Sequence, residues 1–248
     1  MGGIINYEIR RLIFNKAAIC LFIINVLYAV IILNTETILG AGYTAPFSGW
    51  SLGGYWAMTL PAAMVTILFM LTRFFSSSAK SVDVLISASP VNQELYKTAR
   101  LAAVSFGFVI IVLTLFLLAA VFTMVVFNEL PLTELFLTML LTAFPCYLVI
   151  LGIGSLLGKI HSGLLYSIMI IIILVGFFPL NNIYDFFGGG YFLNEPLKLP
   201  AGADGEPPFT LSLNFIFMRI IYFITGVAVL IFYIHERGNK FISLSREK

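Results

Sequence analysis

Six apolar runs divide the chain, at residues 17–34, 54–75, 101–127, 133–157, 164–180 and 211–234. A hydrocarbon core of roughly 30 Å needs about 20 helical residues per crossing. Polar positions are confined to the segments between the runs, so the pattern predicts an all-α membrane protein with six transmembrane helices. Ahead of the first run, Ile5, Ile9, Leu12 and Ile13 recur at helical spacing, while Glu8, Arg10, Arg11, Asn15 and Lys16 fall between them. That alternation predicts an amphipathic helix within residues 1–16, lying in the interface with its basic side toward anionic headgroups. The first run is longer than the apolar region of a usual signal peptide, and no small-x-small cleavage site follows it closely, so it reads as a retained anchor. Trp50, just before the second run, and Tyr55 and Trp56 at its start suit a headgroup belt.

Two polar segments carry most of the remaining pattern. The longer loop between runs two and three covers residues 76–100. Within it Ser89 precedes Pro90: a hydroxyl N-cap, then proline at the first helical position, where its missing N–H costs nothing. Residues 79–87 also read as helical, so two short helices are expected to meet in an elbow there. The second segment, residues 181–210, holds Gly188-Gly189-Gly190, Asp185, Glu195, Asp204 and Glu206. Its apolar, aromatic beginning (183–187) fits re-entry into the membrane, which irregular backbone tolerates only when packed against protein.

Charge orients this pattern. Threading six runs alternately puts twelve of the fourteen Lys and Arg residues on one side, leaving Lys198 opposite and Arg219 inside the last run. The positive-inside rule makes the rich side cytoplasmic and puts both chain ends there. Composition agrees with a lipid solvent: of 248 residues 60% are hydrophobic and only 10% charged, and the mean hydropathy is +1.02, whereas soluble domains carry about 25% charged residues. Six crossings leave no room for a soluble domain, so residues 1–248 are expected to form a single membrane domain. Cys20 and Cys146 both fall inside apolar runs and read as small buried residues rather than a disulfide pair.

Several chemistries find no constellation in this chain. Gly154-Ser155-Leu156-Leu157-Gly158-Lys159 has three residues between its glycines instead of four, and Ile160 stands where a phosphate loop needs Ser or Thr. Gly154 and Gly158 instead form a G-x-x-x-G step that permits close helix packing in lipid. The two histidines, His161 and His235, are separate, so neither a metal site nor an H-E-x-x-H helix is expected. Ion-coupled transport needs ionisable groups deep in the bilayer, and Arg219 alone qualifies, with Asp185 or Glu134 as candidate partners. No repeat relates the two halves, which removes the inverted-repeat transporters. Nothing points to nucleic acid.

The elbow and the amphipathic start carry a resemblance. Ser89-Pro90-Val91, then Glu94, Tyr96, Lys97 and Arg100, resembles the cytoplasmic coupling segment of type-2 ATP-binding-cassette (ABC) permeases. Glu8 with Arg10 and Arg11 resembles that family's connector helix. Six spans and a longer outer segment before the last one are similar as well. The resemblance implies a permease subunit, not itself an enzyme, which binds no cofactor. ATP and magnesium would be handled by a separate cytosolic ATPase subunit, and a second permease subunit would complete the assembly in the lipid of a bacterial plasma membrane. It implies ATPase coupling through Ser87, Ser89, Pro90, Val91, Glu94, Lys97 and Arg100, and a cargo path along spans one, two and five. Asn25, Tyr28, Thr59, Thr66 and Tyr166, with Arg219, are the candidate path residues. Their apolar surroundings suit a peptide, lipid or drug-like cargo. The alternative reading is a scaffold or sensor docking a cytosolic partner through the same basic loop.

Overall fold

The computed structural model describes residues 2–76, 79, 93–178, 185–200, 202 and 206–236, and among them every regular element is helical. The helices are α1 (Gly2–Ile13), α2 (Lys16–Thr35), α3 (Gly49–Thr72), α4 (Gln93–Phe127), α5 (Leu132–Ile160), α6 (Ser162–Phe177), α7 (Gly189–Asn194) and α8 (Leu213–His235). Two 3-10 turns, Thr37–Leu39 and Pro196–Lys198, follow α2 and α7. Five of these helices, α2 to α5 and α8, are long and apolar enough to cross a membrane. The chain therefore has the form of an all-α, multi-pass membrane protein. The fifth expected crossing is α6, whose 16 residues extend only about 24 Å at 1.5 Å per residue.

Side chains written into the sequence start these helices. Asn15 caps α2 by accepting from the Ala17 amide at 3.0 Å. Ser48 caps α3 through the Ser51 amide, and Ser212 caps α8 through that of Phe215. Ser48 also moves the start of the second crossing five residues ahead of the predicted boundary. The third crossing is likewise longer than its apolar run, because hydropathy marks where a helix meets lipid and not where its hydrogen bonding begins.

α3 is the axis of the bundle, packing against α2, α4, α5, α6 and α7. Its buried side chains run its whole length, from Trp50 to Leu71. This corrects the headgroup-belt expectation for Trp50, Tyr55 and Trp56, which are 0%, 1% and 0% exposed. Each spends its polar atom inside the protein: Trp50 Nε1 donates to the Pro208 carbonyl at 3.3 Å, Tyr55 Oη to Leu115 at 2.9 Å, and Trp56 Nε1 to Leu135 at 3.3 Å. An aromatic residue buried with its donor satisfied gains more from packing than from a lipid interface.

Small residues set the closest approaches. A Cβ on Gly226 of α8 would lie 2.7 Å from the backbone of Leu148 in α5, so only glycine permits that contact. Gly154 and Gly158 face Leu68, Leu71 and Phe75, making the G-x-x-x-G step a packing face inside the chain. Of the cations assigned to one side by sequence, the seven described ones (Arg10, Arg11, Lys16, Arg73, Lys97, Arg100 and Lys159) all sit at the end of the bundle that carries α1; Lys198 lies at the other.

Candidate functional site

The α1 end of the bundle holds a polar layer built around the first turns of α4. Periodicity places Glu8 on the polar side of α1, yet it is buried, 2% exposed. α1 packs along α4, and this turns Glu8 inward, where its carboxylate lies 3.8 Å from Arg100 Nε and 3.4 Å from Arg11 Nη1. Arg11 also donates to the Arg73 carbonyl at the end of α3, at 3.4 Å. The Arg100 guanidinium lies over the rings of Phe74 and Tyr96, 5.1 and 4.3 Å from their centroids. Glu8 thus joins α1 to α4, and Arg11 carries the link on to the end of α3. The interfacial helix is correspondingly not free on the lipid surface: Leu12 is 1% exposed and Ile9 packs on the core.

Three residues before Arg100, Lys97 faces the opposite neighbour. Its ammonium donates to the carbonyls of Tyr233 and Ile234, both at 3.2 Å, and of Glu236 at 2.8 Å. The last carbonyls of a helix lack intrahelical partners and carry the negative end of its dipole, so a cation there caps α8. The Glu236 carboxylate in turn pairs with Lys159 of α5 at 2.8 Å. Sequence reasoning missed Glu236 and Lys159 as partners. The available signal was their opposite charge at two helix ends on one side of the membrane.

The predicted coupling set therefore divides. Lys97 and Arg100 are brought together with Glu8 and Arg11. Arg10 is exposed outside the layer, and Glu94 is exposed on the first turn of α4. Ser87, Ser89, Pro90 and Val91, with the elbow expected of them, lie outside the described residues.

Three of the predicted path residues, Asn25, Thr59 and Thr66, make hydrogen bonds inside the bundle. Asn25 Nδ2 donates to Thr66 Oγ1 at 2.7 Å across the α2–α3 interface and to the Leu21 carbonyl at 2.8 Å. Thr59 donates to the Tyr55 carbonyl at 2.9 Å, and Thr66 to that of Ala62 at 3.1 Å. These are polar contacts between and within helices. Tyr28 is half-buried and Tyr166 exposed on the bundle surface.

Arg219 stands apart, 2% exposed. The expected acid is beside it in an arrangement the sequence does not specify. Arg219 donates to the carbonyls of Asp185 (3.3 Å) and Phe186, and its Nη1 lies 3.6 Å from Cys146 Sγ. The Asp185 carboxylate instead accepts from the amides of Phe187 (3.2 Å), Gly188 (2.9 Å) and Gly190. One short loop compensates both charges through its backbone dipoles. Gly188 enables this with φ of +91°, and a Cβ there would come within 2.6 Å of Arg219 Nη2. Residues 185–187 reach Cys146, midway along α5, so this part of the segment packs between helices; residues 183–184 of the stretch expected to re-enter lie outside the described residues. Glu134 is not among the partners of Arg219. No family model, curated protein or solved structure matches this chain.

Proposed function

We propose that the chain is the permease subunit of an ABC exporter with six crossings, α6 together with the residues after it making the fifth. Both ends face the cytoplasm of a bacterial cell. In this reading the chain does no chemistry. A separate cytosolic ATPase, holding ATP and magnesium, supplies the work, and a second permease subunit completes the path. The cargo is hydrophobic or amphipathic: a peptide, lipid or drug-like molecule.

The observation that carries the reading is the double linkage at the base of α4. Arg100 ties that base to α1 through Glu8, Arg11 extends the link to the end of α3, and Lys97 ties it to α8 and α5 through the helix cap and Glu236. The segment holding Ser87, Ser89, Pro90 and Val91 leads directly into this turn. A partner pressing on that segment would move a layer shared by five helices, which is what coupling to an external motor requires. Burial of Glu8 favours a mechanical element over a lipid-surface anchor, because an isolated carboxylate pays a large desolvation cost without a structural partner.

The test is to purify the full chain from its native membrane in mild detergent and measure ATP hydrolysis in the copurified complex with amphipathic peptides and lipids as cargo. Hydrolysis that rises with cargo is expected. In the double variant Glu94→Lys with Lys97→Glu, hydrolysis persists and its cargo response is lost. A partner that copurifies without hydrolysis makes the chain a docking scaffold or sensor and ends the exporter reading.

A further inference from the structure

A cleft at the α1 end of the bundle plays no part in the polar layer. It is formed where the end of α1 meets α2, α3 and α4, and Ile13, Ile19, Phe22, Met70, Gly107 and Ile110 line it. Ile19 is exposed and Phe22 and Ile110 are half-buried, so the cleft opens onto the lateral surface of the bundle. Its lining offers almost no polar surface. A bound water needs two to four polar partners, so this space is unsuited to water and suited to hydrocarbon. Gly107 shapes it: a Cβ there would lie 2.9 Å from Met70 Sδ, so any larger residue displaces Met70 or fills the cleft.

Three cations stand one helical turn from lining residues. Arg10 lies three residues before Ile13 on α1, Lys16 three before Ile19 on α2, and Arg73 three after Met70 at the end of α3. On a helix that spacing puts each pair on one face. Arg10 and Lys16 are exposed, and among the described residues neither makes a salt bridge. Arg73 rests its guanidinium over the Phe69 ring, 5.5 Å from the centroid. The neighbouring Arg11, by contrast, is engaged by Glu8.

We infer that this cleft is a binding site for one anionic phospholipid, an acyl chain lying against Gly107 and Met70 and the phosphate held by Lys16 and Arg10. A zwitterionic lipid brings the same phosphate, but its own ammonium group cancels the net attraction to the two cations. The inference needs only the membrane setting and is independent of the motor proposal. An occupant would wedge between α2 and α4 beside the α1 connection, tying the position of α1 to the lipid composition of that leaflet.

Native mass spectrometry of the full chain, exchanged into mixtures of phosphatidylglycerol and phosphatidylcholine, tests the site. The two cations predict a preference of roughly thirtyfold for the anionic lipid, at the usual contribution of a basic residue near an anionic surface. Charge reversal with Arg10→Glu and Lys16→Glu removes the preference while an acyl chain is still retained, and Gly107→Leu removes retention of either lipid. Because Gly107→Leu strains a packed position, a second readout stands beside it. Ile110→Trp fluorescence is quenched more by brominated phosphatidylglycerol than by brominated phosphatidylcholine at equal mole fraction. Equal retention of both lipids by the unaltered chain, an undiminished preference after charge reversal, or equal quenching overturns the inference.

Discussion

Replacing Glu8 with Gln tests whether α1 is anchored by charge or by packing alone. The side chain keeps its shape and loses its negative charge. Breaking one partner of a fully buried ion pair costs about 3–5 kcal/mol, and an exposed pair is worth about 0.2–1 kcal/mol. The Glu8 cluster lies between: the side chains of Glu8 and Arg100 are 3% and 8% exposed, but that of Arg11 is 34% exposed. The separations of 3.4 and 3.8 Å also exceed the 2.7–2.9 Å of a strong charge-assisted bond. A cost of about 2–3 kcal/mol follows, which raises the population of detached α1 by about 30- to 140-fold. Hydrogen exchange read by mass spectrometry over residues 5–13 measures that opening directly. Faster exchange confined to α1 is expected, with partial recovery when Glu8→Arg is combined with Arg100→Glu. Protection unchanged within twofold would mean that Ile9 and Leu12 alone hold the helix, and the linkage through α4 would lose its first member.

Three further outcomes follow from the same geometry. Lys97→Met removes the cap of α8 and costs up to about 2 kcal/mol, seen as faster exchange at residues 230–236 and nowhere on α1. Arg219→Met strips the carbonyls of Asp185 and Phe186 of their donor and costs about 1–3 kcal/mol for each; it exposes Cys146, so a maleimide that leaves that thiol untouched in the parent labels it in the variant, and an unlabelled Cys146 would refute the packing of Arg219 over it. Asn25→Leu with Thr66→Val removes both partners of an intramembrane hydrogen bond worth about 0.6 kcal/mol, so thermal stability in detergent barely changes; a large loss would show the pair to be a structural keystone, while lost transport at preserved stability would put both residues on the cargo path.

Hydropathy made the helical class and the long apolar helices legible because lipid imposes one rule on every crossing: the backbone must bond within its own segment. That rule says nothing about which face of a helix meets lipid and which meets protein. Trp50, Tyr55 and Trp56 show the consequence. Amphipathic rings near a helix end look the same in sequence whether they sit at headgroups or, as here, donate to carbonyls of α4, α5 and the outer segment. The polar layer was half legible for a related reason. Charge asymmetry gathered Glu8, Lys97, Arg100, Lys159 and Glu236 on one side, since crossings alternate, but pairing depends on rotation about each helix axis. Glu8 falls on the polar side of α1 by period and is buried because a second helix, α4, offers Arg100. Arg219 was the clearest single signal, as a cation in an apolar run must find compensation. The compensation was not the ion pair that charge counting suggests. A guanidinium bonded to carbonyls, and a carboxylate bonded to amides two, three and five residues along, need a loop with a left-handed residue at its turn. The glycines after Phe187 were the sequence record of that loop, and they become informative only when set beside the buried Arg219.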